Sequence, residues 1–216
     1  MNGQEHELEA FLRVLDGAGC LEHVVLIGSW AEYMYAHTDI LPGFSPNIRT
    51  RDVDFLVRNL RRPQPAASVA AEARKRGYHV DSDRLTGVTK IFSPGGLEIE
   101  FLIAKMGAGL ESALSTNVGV TAQSLRHLGI LSRSTITVEY HGMGVSVPSP
   151  EAYAVQKMVV YGERDKKAEK DVAAIGRLWP HLDQAELGRQ LSMLTRAEAR
   201  RAESYMEEHG LSADGC

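Results

Sequence analysis

Thr50-Arg51-Asp52-Val53-Asp54-Phe55-Leu56-Val57 is the stretch on which the fold turns. It alternates polar and apolar residues from Asp52 and then becomes wholly apolar, the pattern of a strand that enters a core. Side chains at i and i+2 of a strand share a side, so Asp52 and Asp54 project together. Two carboxylates that close repel each other and call for a neutralising partner. Carboxylate oxygens suit a hard divalent cation, Mg²⁺ or Mn²⁺. A solvated strand end carries the same Asp-x-Asp pattern, so the flanking sequence has to decide between the two.

Upstream, Val24-Val25-Leu26-Ile27 reads as a short apolar strand, followed at once by Gly28-Ser29 and a helix over 30–36 with Ser29 as its cap. A helix N-terminus presents unpaired N–H groups and the positive end of its dipole, which suits phosphate. Downstream, Thr89–Phe92 and Leu97–Ile103 read as strands joined by the turn Pro94-Gly95-Gly96. Glu98 and Glu100 share one side of the second of these strands, with apolar neighbours on the other. An edge strand with a wet face would show the same alternation.

Gly28-Ser29, then Asp52-x-Asp54 with Thr50 two places ahead, then an acid on a later strand, resembles the signature of the DNA polymerase β-like nucleotidyltransferase superfamily. Within it the chain looks closest to small bacterial minimal nucleotidyltransferases, relatives of abortive-infection toxins and aminoglycoside-modifying enzymes. The motif-bearing resemblance covers roughly residues 20–105 and extends more loosely to about 180. Two departures stand out. The Gly28-Ser29 to Asp52 spacing is long, implying an insertion at 38–48, and the third acid is glutamate where aspartate is commoner. Glu100 is favoured for it, lying between Ile99 and Phe101, with Glu98 in reserve.

The resemblance implies an α/β (α+β) fold: a mixed-sheet, palm-like catalytic core flanked by helices over 1–105, then a mainly helical region over 106–216 with a β-hairpin near 135–147. It also implies two-metal phosphoryl chemistry. Asp52, Asp54 and Glu100 would be the catalytic and metal-binding acids, with Mg²⁺ or Mn²⁺ as cofactor. Gly28 and Ser29 would cradle the triphosphate of an NTP. Lys157, Arg164 and Lys170, with Lys167 and Asp171 beside them, resemble the basic helical motif that such proteins carry next to the triphosphate. A solvated helix with i,i+3 and i,i+4 charge pairs is the plainer account of that run.

The rest of the chain sets bounds. At 216 residues it is long enough for one full core or a core with a smaller partner. A net charge of −4 gives no general pull toward nucleic acid or anionic membrane. Two cysteines make no disulfide framework, so a reducing cytoplasm is expected. The acidic, polar N-terminus is unlike a signal peptide, and no apolar run reaches the roughly 20 residues that span a bilayer. A helix is also expected over 5–17, over Ala66–Arg76 and over Ala122–Leu131, a surface loop over 38–48, and helices from Pro150 to Glu208.

The acceptor hydroxyl is left open between an RNA 3′ end or protein, the latter with an antitoxin-type protein partner, and a small molecule of the aminoglycoside type. A non-catalytic nucleotide- or partner-binding module is the reading from another class, and the presence of all three acids argues against it. Trp30 and Tyr33 beside the Gly-Ser turn are core residues or a base-stacking pair. Arg196, Arg200 and Arg201 form a solvated face or an RNA contact.

Overall fold

Asp52–Val57 is a strand in a computed structural model that describes residues 3–46, 50–58, 67–105, 107, 112–163 and 168–212. The first half runs α1 (Gly3–Gly17), β1 (Val24–Ile27), α2 (Ser29–His37), β2 (Asp52–Val57), α3 (Val69–Lys75), β3 (His79–Ser82), β4 (Thr89–Phe92) and β5 (Glu98–Ala104). The second half runs β6 (Ala113–Ser115), β7 (Thr121–Leu125), α4 (Gly129–Arg133), β8 (Thr135–Tyr140), β9 (Met143–Pro148), α5 (Pro150–Val160), α6 (Ala168–Leu178), α7 (Gln184–Ser192) and α8 (Arg196–Glu208).

The mixed sheet has the order β1-β2-β5-β4-β3, and β7 pairs with β5 and β6 beyond it. β2 is therefore an inner strand, antiparallel to β1 and parallel to β5. β5 is central too, with β2 on one flank and β4 and β7 along the other. This removes the edge-strand account of Glu98 and Glu100. Side chains alternate across the pleat, so Val53, Phe55, Ile99 and Phe101 leave one face of the sheet, and all four are fully buried. Phe11 of α1 closes that face, its ring 5.8 Å from Phe55 and 5.5 Å from Tyr78. The opposite face carries Asp52, Asp54, Glu98 and Glu100.

α5 is the hub of the helical part. Ser149 caps it by accepting from the Ala152 N–H, Pro150 fills its first turn, and it contacts α4, α6, α7 and α8. It is buried along its whole length except at Lys157. The hairpin β8–β9 forms a separate two-stranded sheet.

Three sequence expectations differ from the structure. Residues 121–125 form β7 rather than the start of a helix, because Leu102–Ala104 of β5 offers a free pairing edge there. The expected helix is reduced to Gly129–Arg133. The α3 helix begins at Val69, where the Ser68 hydroxyl accepts from the Ala71 N–H; Ala66 and the Arg61–Pro65 break lie outside the described residues. Of the expected 38–48 loop, the described residues 38–46 bury Leu41 and Phe44, and Phe44 meets the His181 ring at 5.8 Å.

Candidate active site

The β1–β2 ladder pairs Ile27 with Asp54, so the chain leaves β1 and enters α2 next to that carboxylate. Gly28 makes the corner. Its φ of 68° and ψ of −155° lie in a region that only glycine populates readily. A Cβ built on Gly28 would sit 3.2 Å from Asp54 Oδ2, so the missing side chain also makes room for the acid. The cap of α2 is Gly28, not Ser29; no side chain caps the helix, and Ser29 is its first residue, half-buried. The Thr50 hydroxyl accepts the Asp52 N–H at 3.0 Å, which fixes the approach to the strand.

The parallel β2–β5 register pairs Asp52 with Glu98 and Asp54 with Glu100. Paired residues of neighbouring strands lie on one face about 4.8 Å apart, so the four acidic positions neighbour one another on that face. Asp52 is exposed, whereas Asp54, Glu98 and Glu100 are half-buried. The β4–β5 hairpin adds a cation: Lys90 pairs with Glu100, and its Nζ lies 2.7 Å from Glu100 Oε1 and in contact with Glu98 Oε1. Hydrogen bonds that Lys90 donates to Glu100 and then Glu98 hold its ammonium well above its ordinary value.

Asp52 and Asp54 offer oxygen donors of the kind that would hold a hard divalent cation, with Asp54 beside the Gly28 corner. Glu98 and Glu100 each already have one oxygen on an ammonium. Among the described residues, no three His, Cys, Asp or Glu side chains are grouped to hold a metal ion.

A nucleotidyltransferase family model matches residues 6–195. The chain belongs to the nucleotidyltransferase family. The fold agrees with this assignment. A crystal structure of an antigenic nucleotidyltransferase-like protein from Paracoccidioides brasiliensis is similar at a TM-score of 0.55 and 15% identity, over 96% of this chain and 88% of that one. A solution structure of the antibiotic-resistance factor ANT(2'')-Ia is similar at 0.51 and 14% identity, over 96% of each chain. A crystal structure of ANT(2")-Ia in complex with adenylyl-2"-tobramycin is similar at 0.52 and 11%, over 95% of this chain and 98% of that one. No curated protein matches at a significant level. The chain is thus an enzyme of nucleotidyltransferase type.

The helical cations of this nucleotidyltransferase are not alike. Lys157 is largely buried, its Nζ 2.6 Å from Asp171 Oδ1 and 4.8 Å from the Tyr153 ring centre. Lys170 is exposed on α6. Arg164 and Lys167 lie outside the described residues. Trp30 and Tyr33 are buried core residues. On α8, Arg196 and Arg200 are exposed and Arg201 pairs with Glu163.

Two features escape a reading of motifs alone. One is Lys90, whose address is written in the hairpin, since folding Thr89–Phe92 back about Gly95 sets it opposite Glu100. The other is Glu32 of α2, only 3% exposed, which accepts from the Tyr153 hydroxyl at 2.8 Å and from Arg177 at 3.3 Å. It ties the helix behind the Gly28-Ser29 turn to α5 and α6. No linear signal joins these residues. Among the described residues, no helix is long and apolar enough to cross a membrane.

Proposed function

We propose that the enzyme moves a nucleoside monophosphate from an NTP to the hydroxyl of a small cationic acceptor, with Mg²⁺ or Mn²⁺ held by Asp52 and Asp54. The observation that carries this reading is the meeting of Gly28, Asp54 and Glu100 at one end of the sheet. The bare Gly28 backbone, the Ser29 hydroxyl and the free N–H groups of α2 receive the β- and γ-phosphates. When bound, the divalent cation neutralises phosphate charge and favours ionisation of the acceptor hydroxyl. Glu100 takes the acceptor proton, with Glu98 as the reserve. The acceptor oxygen attacks the α-phosphorus in line; one P–O bond forms, the bond to the bridging oxygen breaks, and pyrophosphate leaves. In this scheme Lys157, Arg164 and Lys170 would supply positive charge for the leaving pyrophosphate. The protein acts by placing groups and by meeting charge with charge.

The charge of the acid face supports the acceptor class. Asp52, Asp54, Glu98 and Glu100, with Asp81 paired beside Lys90, outnumber the cations on that face and would repel a polyanion. The tobramycin adduct named for ANT(2")-Ia is of the favoured kind. A second reading, transfer to an RNA 3′ end or to a protein hydroxyl, has the exposed Arg196 and Arg200 of α8 in its favour.

The test is incubation with each α-³²P-labelled NTP, Mg²⁺, and aminoglycosides, tRNA or cell extract. The expected result is label on a cationic small molecule, lost in Asp52→Asn and Asp54→Asn. Label on RNA or protein instead selects the second reading. Absence of both transfer and Mg²⁺-dependent nucleotide binding sinks the proposal.

A further inference from the structure

We infer that Lys90 takes the place of a second metal ion, so that the site binds one divalent cation at Asp52 and Asp54 while Lys90 fixes Glu98 and Glu100. This rests on the metal-dependent reading above and refines it. The position of the ammonium carries it. The β4–β5 register sets Lys90 beside Glu100 and Phe92 beside Glu98, so the backbone itself delivers the lysine to the glutamate pair. Lys90 Nζ engages Oε1 of both glutamates, at 2.7 Å for Glu100. Lys90 takes Oε1 of each glutamate, and on this reading Oε2 of Glu100 serves the acceptor hydroxyl.

A divalent ion shared between Asp54 and Glu100 would come within a few ångströms of the ammonium, and like charges that close repel strongly in a half-buried site. Swinging Lys90 aside would give up both of its carboxylate contacts and leave the glutamate pair without its cation. Lys90 is on this account a positioning residue: it shapes and neutralises the glutamate pair and does not touch the reacting atoms.

The experiment counts Mn²⁺ retained per chain by electron paramagnetic resonance, with each of the four α,β-methylene nucleoside triphosphates in turn. Wild type is expected to retain one Mn²⁺ per chain. Lys90→Met and Lys90→Gln are expected to retain two, and Lys90→Arg one. Thermal melting verifies that each variant is folded, and either neutral variant suffices. Two Mn²⁺ in wild type, or one in a folded neutral variant, overturns the inference. Failure of the underlying reading looks different: no nucleotide-dependent Mn²⁺ in wild type, or retention unchanged in Asp54→Asn.

Discussion

Gly28 lies against Asp54 at the end of the β1–β2 ladder, so close that a side chain on the glycine would be a tight fit against the carboxylate. An added methyl group would stand 3.2 Å from Oδ2 on a backbone held at φ 68°. Gly28→Ala therefore combines backbone strain with a push on the acid. Strain in such a region costs about 1–3 kcal/mol, and for a chain of this size each kcal/mol lowers Tm by about 2–4 °C. The expected outcome is a Tm lower by several degrees and nucleotide affinity lost out of proportion to it. A melt and a nucleotide titration on the same sample check both. Unchanged affinity would remove Gly28 from the site.

Lys157 and Asp171 form a pair that solvent barely reaches, with side-chain exposures of 12% and 4%. Removing one member strands a charge, which costs about 3–5 kcal/mol, whereas replacing both by apolar residues is often neutral. Lys157→Met is expected to destabilise strongly, and Lys157→Met with Asp171→Leu to recover most of the loss. If Lys157 also serves the triphosphate, nucleotide affinity stays low in the double variant although stability returns. A double-mutant cycle read by denaturant unfolding and by nucleotide binding separates the two roles.

What the chain declares locally and what it leaves to tertiary structure divide along these residues. The glycine turn, the Asp-x-Asp strand and the β4–β5 hairpin are short-range features, each with its own turn or period, and they are legible. The side-by-side placement of Asp54 and Glu100 is not, because it depends on a parallel register across a long crossover. Residues 121–125 mislead for a related reason: Thr-Ala-Gln-Ser-Leu has no strong strand preference, and the vacant edge of β5 decides. Lys157 shows a charge on a helix but not its partner fourteen positions on. The Asp-x-Asp strand could be read; the lysine set against Glu98 and Glu100 had to be seen.

Cys20 gives a pH-dependent stability with a definite sign. Its side chain is fully buried, and burial pushes the thiol up to about 11. In the unfolded chain a thiol ionises near 8.5. The native state thus holds its proton over a window in which the unfolded state loses one. Stability is full below about 8.5 and falls as pH rises toward 11, by up to about 1.4 kcal/mol per unit. Tyr78, raised by burial to about 12, joins only above the usual tyrosine value near 10. Denaturant unfolding between pH 8 and 10 is expected to show the decline, and Cys20→Ala to flatten it. An equal slope in both proteins would show that the thiol is not its source.

Glu32 links the turn that faces the nucleotide to the helices behind it, and its two partners are expected to matter unequally. The Tyr153 hydroxyl donates to Oε1 at 2.8 Å inside the protein, and Arg177 reaches Oε2 at 3.3 Å from a partly exposed position. Burial first, and then the charge of Glu32, raise the Tyr153 hydroxyl well above its ordinary value, so it remains a donor at neutral pH. Tyr153→Phe leaves a buried carboxylate oxygen short of its hydrogen bond, a loss of about 1–3 kcal/mol. Arg177→Gln keeps a donor in place, and solvent at the arginine softens the lost charge, so its cost should be smaller. Because α2 begins at Ser29, loosening its inner side should also raise the Kd for nucleotide in Tyr153→Phe. Equal destabilisation by the two variants, or a Tyr153→Phe protein with unaltered stability, would mean that Glu32 is not held in the manner described.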